Sequence, residues 1–276
     1  MTTIEKKLYD AAQKNRVSEV SSLLRDHPGI NVNWKGKDQW TALLAASYEG
    51  HVEVVKLLLE HPNILVNLRS NNGNTPFLLG CEHGRVSVVQ VLLKDPRVDV
   101  TLSDHNGRTP LWWASCYGKH EVVEWLIASG RDLGDIKNKK GDYWMDGRDY
   151  HALEIARKSN KTEAVSLLER FVANPALTRY EIRVKLGLLD DLAAEIFALT
   201  VFLCDDLLQL KPASHSAATP DHAATAATRF FALASKLPLE LQMILCHRAV
   251  GSTKQNILHQ DSEAAFKSLA RTLLRL

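Results

Sequence analysis

Three segments of the chain repeat one pattern without gaps: Thr41-Ala42-Leu43, Thr75-Pro76-Phe77 and Thr109-Pro110-Leu111. Successive segments are 34 residues apart. Nine residues after each threonine stands a glycine, at Gly50, Gly84 and Gly118. Valine and leucine residues then follow at the same spacing each time. Because chance does not keep so many positions in phase, the period indicates a repeated structural unit.

Each position of the repeat has a physical interpretation. The threonine caps a helix by accepting a hydrogen bond from a backbone N–H, and proline is tolerated at the first helical position. The glycine nine residues later supplies the left-handed conformation that ends this inner helix. The valines and leucines that follow form the apolar face of a second, outer helix. Segments such as Asn71-Asn72-Gly73 then predict a turn, or finger, before the next repeat.

This pattern resembles the ankyrin repeat, and the resemblance covers roughly residues 5–172. A degenerate first repeat fits Leu8-Tyr9-Asp10-Ala11-Ala12, and a last one fits His151-Ala152-Leu153-Glu154-Ile155-Ala156. The resemblance implies an ankyrin-repeat solenoid of about five repeats, and the helical patterns that follow it predict a small helical bundle. We therefore predict an all-α fold. An insertion around Tyr143-Trp144-Met145-Asp146 separates the last two repeats, and we expect it to contact a partner or the C-terminal domain.

The repeat pattern stops at Asn174-Pro175. We therefore predict an ankyrin-repeat domain over residues 1–173 and a helical domain over residues 174–276. Within the second domain, residues 211–228 are rich in Ala, Ser, Thr and Pro and lack periodicity, which predicts a flexible loop.

Composition excludes several classes of protein. The chain has 45% hydrophobic residues, 24% charged residues and a net charge of +2, so we expect a globular protein that does not bind nucleic acid. The most apolar stretch, Leu186 to Leu210, contains five carboxylates and is not expected to cross a membrane. The N-terminus has no apolar run, and the four cysteines lack CxxC spacing. We expect an intracellular monomer, cytoplasmic or nuclear, that uses no cofactor and no metal.

The resemblance also implies where a partner protein binds, because ankyrin stacks use a concave surface made of the fingers and the exposed side of the inner helices. Tyrosine and tryptophan are the residues that most often anchor such interfaces. Carried over by position, the partner-binding candidates are Trp40, Tyr48, Glu49, Asn72, Asn74, Glu82, His83, His105, Arg108, Trp113, Tyr117 and Trp144.

One segment of the C-terminal domain suggests a second function. Residues 237–245 resemble the opening of an F-box, the helical module that docks on the linker subunit of cullin ubiquitin ligases. The docking residues would be Leu237, Pro238, Leu241, Ile244 and Leu245. Leu-Pro before an amphipathic helix is also the ordinary start of a helix in a bundle. A substrate adaptor for ubiquitin ligation is therefore an alternative to a simple interaction module.

An enzyme is the third hypothesis, and it depends on acidic residues in the C-terminal domain. Asp190, Asp191 and Glu195 lie close together, with Asp205-Asp206 further along the same helix. Paired carboxylates can hold magnesium, but this spacing is also typical of the solvent-facing edge of an amphipathic helix. The chain contains none of the motifs GxxxxGK[ST], GxSxG and HExxH. We therefore expect no catalytic residue and no enzymatic activity.

Overall fold

The computed structural model describes residues 3–133, 141–143, 147–204, 230–231, 234, 237–250, 254, 257, 261–262 and 265. Contacts divide the chain into two compact units, residues 1–182 and 183–276. The first unit ends nine residues beyond the domain boundary that we predict from the sequence. The predicted flexible loop at 211–228 lies outside the described residues.

The helices described between residues 4 and 173 come in five pairs. Each pair has an inner helix and an outer helix: α1 (Ile4–Gln13) and α2 (Val17–Asp26), α3 (Ala42–Glu49) and α4 (Val52–Glu60), α5 (Pro76–Glu82) and α6 (Val86–Leu93), α7 (Pro110–Cys116) and α8 (His120–Ser129), α9 (Ala152–Lys158) and α10 (Thr162–Ala173). Each inner helix packs against the next inner helix, and each outer helix against the next outer helix. The predicted solenoid of five repeats is confirmed.

A two-stranded antiparallel hairpin fills part of the insertion before the fifth repeat. Strand β1 (Gly141–Tyr143) pairs with β2 (Arg148–Tyr150), and Gly141 lies opposite Tyr150. The all-α prediction did not include these strands. Residues 144–146, the rest of the predicted Tyr143-Trp144-Met145-Asp146 insertion, lie outside the described residues.

Three further helices follow the repeats. Helix α11 spans Pro175–Lys185, α12 spans Leu189–Cys204 and α13 spans Leu239–Ala249. In the second unit, α12 packs against α13, and Ala193, Ala194 and Ala198 of α12 are buried. This packing is the arrangement expected of a helical bundle.

The inner helices begin as the sequence predicts. Thr41, Thr75 and Thr109 each accept a hydrogen bond through the side-chain oxygen from the backbone N–H three residues later. In the fifth repeat His151 takes this position and forms a capping box with Glu154. His151 lies 42 residues after Thr109 instead of 34, so the β-hairpin insertion lengthens this step without changing the cap.

The inner helices also end alike. A backbone N–H bonds to the carbonyl five residues earlier in all five repeats, and the donors are Arg16, His51, Arg85, Lys119 and Lys161. This bond closes the last turn of a helix when the preceding residue is left-handed. Gly84 and Gly118 have positive φ, as predicted, and Asn15 and Asn160 replace glycine in the two terminal repeats. Asparagine tolerates that conformation better than most residues, which explains why the terminal repeats are hard to see in the sequence.

The side chains of these donor residues join consecutive repeats. Arg85 Nε donates to the carbonyl of Tyr48 at 2.9 Å, and His51 Nε2 lies 3.0 Å from the carbonyl of Gln13. Both carbonyls are at the C-terminal end of the preceding inner helix, where the helix dipole favours a positive charge. The Lys119 side chain covers Gly84 at the corresponding place.

The interior of the stack is apolar and fully buried. Leu44, Leu78 and Trp112 occupy equivalent positions on consecutive inner helices, and each is at most 1% exposed. The outer helices bury the paired valines that mark the repeat, for example Val54 and Val55. One repeat alone leaves these faces open to water, so the stability of each repeat depends on its neighbours.

We predict that Gly84→Val destabilises the stack by about 1–2 kcal/mol or more, because a β-branched residue at φ +67° is strained. Gly29→Val is the control, since no heavy atom would lie within 4 Å of its new Cβ and φ there is not positive. Urea unfolding followed by circular dichroism measures the stability of both variants. Equal stability of the two variants would contradict the helix-ending role of Gly84.

Candidate partner-binding surface

The C-terminal turns of three inner helices place polar and aromatic side chains in register. Tyr48 and Glu82 hold the same position in consecutive repeats, because they are 34 residues apart. The next position along each helix brings Glu49, His83 and Tyr117 into a second row. We call these five residues, together with Trp40, Asn72, Asn74 and His105 of the fingers, the recognition surface.

An aromatic cluster forms at the N-terminal end of this surface. The Tyr48 ring meets the Trp40 ring edge to face, with ring centroids 5.4 Å apart, and its centroid is 4.3 Å from that of His83. All three side chains are half-buried. The contacts fix the rings while leaving part of each accessible, so the cluster is preorganised for binding.

Tyr117 is exposed, at 41%. It stacks on Trp113 with centroids 5.5 Å apart and an angle of 19° between the planes. Trp113 is only 7% exposed, and its Nε1 donates to Asp104 Oδ2 at 3.2 Å. Trp113 is therefore a buried support for the Tyr117 ring, and little of its own side chain is accessible to a partner.

Arg108 is also buried, at 8% exposure. Its guanidinium lies over the rings of Trp112 and Trp113 and 3.9 Å from a carboxylate oxygen of Asp104. Gly141 of the hairpin comes so close that an added Cβ would meet the Arg108 side chain at 2.7 Å. The sequence placed Arg108 on the exposed part of a finger, but these neighbours cover it.

Glu82 has an unusual electrostatic environment. Its side chain is only 15% exposed, and burial is the main reason why its pKa is raised to about 7. The negative charge of Asp104 raises the pKa further, while Arg108 lowers it. Close to neutral pH, Glu82 therefore changes between its protonated and ionised forms.

The pKa of His83 is shifted in the opposite direction from that of Glu82. Burial and the positive charges of Arg85 and Lys119 lower the pKa of His83, while Glu49 raises it. His83 Nε2 lies 3.8 Å from a carboxylate oxygen of Glu82. Because a lowered pKa keeps the imidazole neutral at pH 7, this contact provides little positive charge for Glu82.

The fingers carry the remaining candidates. Asn72 and His105 are exposed, and the His105 backbone N–H donates to the Asn72 carbonyl at 3.1 Å, which joins two consecutive fingers. Asn74 is half-buried and its carbonyl accepts from the Ser70 N–H. Trp144, the last candidate, lies outside the described residues. The recognition surface therefore contains Asn72, Asn74 and His105 of the fingers as well as the residues at the ends of the inner helices.

Three residues that shape this surface were not predicted from the sequence. Asp104 accepts hydrogen bonds from the backbone N–H groups of Asn106 and Arg108 as well as from Trp113. Tyr150 of β2 accepts a hydrogen bond from Trp112 Nε1 at 2.8 Å and packs on the aromatic core. Arg85 fixes the end of α3. A basic residue follows each repeat glycine, so the role of Arg85 could have been predicted from the sequence. The insertion contains no comparable pattern that points to Tyr150.

The F-box-like residues divide into exposed and half-buried groups. Pro238 and Leu241 are exposed, and the adjacent Leu239 is 53% exposed. Leu237, Ile244 and Leu245 are half-buried, while Cys246 and His247 are buried. The start of α13 thus exposes three apolar residues, Pro238, Leu239 and Leu241.

The acidic residues of α12 form an ordinary helix edge. Asp190 and Asp191 lie in its first turn, where negative charge is favourable, and Asp190 pairs with Lys254. Asp205-Asp206 lies outside the described residues. Within the described part of the chain, no group of three or more His, Cys, Asp or Glu side chains is placed to hold a metal ion. No helix there is long and apolar enough to span a bilayer.

Five stacked helix–turn–helix units with preorganised side chains at their helix ends define a helical-repeat protein. Comparison with family models gives the particular family: a model described as ankyrin repeats, in three copies, matches residues 8–104 and 63–137. Residues 8–137 of the chain therefore consist of ankyrin repeats. Comparison with curated proteins finds no significant match. The fifth repeat lies beyond the matched residues and is recognised by its geometry.

The raised pKa of Glu82 predicts a pH-dependent stability. The native state holds this proton up to about pH 7, and the unfolded chain releases it near pH 4.5. The stabilisation is therefore present below about pH 4.5 and is lost as the pH rises through about 7. Glu82→Gln keeps the side chain neutral, so it should unfold like the parent at low pH and be more stable by roughly 1–2 kcal/mol above pH 8.

Urea titrations of the parent and Glu82→Gln at the two pH values measure this difference. Glu53→Gln is the control, because Glu53 is exposed on the outer helix α4. A difference in stability between the parent and Glu82→Gln that stays constant with pH would contradict the electrostatic account of Glu82.

Proposed function

We propose that the protein is a non-enzymatic interaction module that binds a partner protein through the recognition surface. Ankyrin repeats generally act as protein–protein interaction modules, and this general role is the starting point. The observation that carries the proposal is the arrangement of Tyr48, Glu82 and Tyr117 at the ends of three consecutive inner helices, each held by neighbouring side chains.

Such an arrangement is suited to tight binding. Tyrosine gives a large contact area at a small cost in side-chain entropy, and rings already fixed by their neighbours lose still less on binding. Tyr48 is held by Trp40 and His83, and Tyr117 is held by Trp113. A partner would therefore meet two rigid aromatic anchors on either side of an acidic centre.

We further propose that the protein works inside the cell. Cys81, Cys116 and Cys246 are unpaired and buried, which suits a reducing compartment. Burial raises the pKa of the Cys81 thiol, so it packs as an apolar residue.

A second candidate function is that of a substrate adaptor, in which α13 docks on the cullin linker subunit. The observation in its favour is that Leu239 and Leu241, at the start of α13, are 53% and 47% exposed. Large apolar side chains exposed on one short segment are a feature of binding sites. The recognition surface would then hold the substrate.

The main proposal predicts that Tyr48→Ala plus Tyr117→Ala reduces partner binding at least about tenfold, because both anchors are removed. Affinity purification from cell extract with quantitative mass spectrometry identifies the partner and measures the loss. Tyr180→Ala is a matched control, since Tyr180 of α11 is 43% exposed. Partners that the double variant retains as well as the parent would show that binding occurs elsewhere.

The adaptor hypothesis predicts that the purified linker subunit binds the chain and that Leu239→Ala plus Leu241→Ala abolishes this binding. A pair of equally exposed leucines, Leu65 and Leu177, gives the control double variant. Calorimetric titration measures the affinity in each case. No binding to the parent, or equal binding to both double variants, would reject the adaptor function and leave the main proposal intact.

A further inference from the structure

Glu82 lies between the two tyrosine anchors of the recognition surface. Tyr48 holds its equivalent position in the preceding repeat, and Tyr117 follows that position in the next repeat. The ring of His83, beside Glu82, is 4.3 Å from the Tyr48 ring. Glu49 of the preceding repeat adds a second, half-buried carboxylate. The centre of the surface is therefore acidic and flanked by aromatic rings.

The neighbours of Glu82 do not balance its negative charge. His83 on the same helix is neutral at pH 7, since burial, Arg85 and Lys119 lower its pKa. From the finger, Asp104 acts on Glu82 more strongly than Arg108 does, and Arg108 itself lies close to Asp104 and over Trp112 and Trp113. From α7, Cys116 contributes a thiol whose pKa burial raises, so it is uncharged.

We propose that the recognition surface takes a positively charged side chain of the partner, an arginine or a lysine, which binds Glu82 between Tyr48 and Tyr117. This inference rests on the proposed function and specifies the chemistry of the partner. The basic side chains nearby do not compete for the position, because Arg85 bonds to the Tyr48 carbonyl and Lys119 covers Gly84.

Physical chemistry favours this occupant over an apolar or acidic one. A cation close to tyrosine rings is attracted by their π-electrons, and the attraction is stronger where water is excluded. Arginine also donates several hydrogen bonds to one carboxylate in a plane that stacks on rings. A partner carboxylate at the same place would meet Glu49 and Glu82, and like charges in a half-buried site repel strongly.

Binding of a cation should be linked to loss of the Glu82 proton. With a pKa of about 7, Glu82 is mostly protonated at pH 6 and mostly ionised at pH 8.5. The affinity should therefore rise roughly tenfold between these two values. His83 contributes in the same direction, because any protonation of its ring at pH 6 opposes a cation.

The test uses the full chain to select peptides from a phage-displayed library of random sequences. Selected peptides are synthesised and titrated against the parent, Glu82→Gln, Tyr48→Ala and the outer-helix control Glu53→Gln at pH 6 and pH 8.5. We expect peptides with at least one arginine or lysine and about tenfold weaker binding to Glu82→Gln at pH 8.5. In that variant only the small pH dependence due to His83 should remain. Replacing the basic residue of the peptide by norleucine should have the same effect as Glu82→Gln.

The outcomes separate this inference from the proposed function. Peptides that lose affinity with Tyr48→Ala but bind Glu82→Gln as tightly as the parent would overturn the inference and leave the binding surface in place. Selection of uncharged or acidic peptides at the same surface would have the same meaning. If no selected peptide depends on Tyr48 or Glu82, both the inference and the proposed function fail. Circular dichroism of each variant confirms that the loss of binding is not a loss of fold.

Discussion

Besides the buried apolar faces, one recurring polar contact joins consecutive repeats of the first unit: a basic side chain of one repeat lies against the C-terminal end of the preceding inner helix. Arg85 and His51 bond to carbonyls there, and Lys119 and Lys161 cover the glycines at the same place. The carbonyls at a helix end have no partner within the helix and carry partial negative charge. Arg85 and His51 thereby satisfy one such carbonyl each, and all four side chains bring the next repeat against the end of the preceding one.

The same interaction prepares the surface for binding. Tyr48, whose carbonyl Arg85 holds, is also one of the two aromatic anchors. Its ring is fixed from the other side by Trp40 and His83. Backbone and ring are therefore ordered before a partner arrives, so less entropy is lost on binding. The acidic centre at Glu82 lies within this rigid frame, where burial makes its charge state depend on pH near neutrality.

Much of the fold could be predicted from the sequence because its signals are local. The threonine caps, the left-handed glycines and the valine pairs act within one helix or turn, and the structure shows each of them. Side-chain exposure depends on contacts between repeats, so it was harder to predict. Trp113 and Arg108 were expected on the surface, but Asp104, Tyr117 and the hairpin residue Gly141 surround them. The choice of Tyr48, Glu82 and Tyr117 stays a prediction about binding.

Hydrogen exchange of five equivalent amides tests most directly whether the stack extends through the fifth repeat. The N–H groups of Arg16, His51, Arg85, Lys119 and Lys161 each donate to the carbonyl five residues earlier. If all five repeats are stacked, each amide should exchange at least roughly 100-fold more slowly than an unstructured amide, and the three central ones most slowly. An amide of Lys161 that exchanges as fast as an unstructured one would show that the stack ends before the fifth repeat.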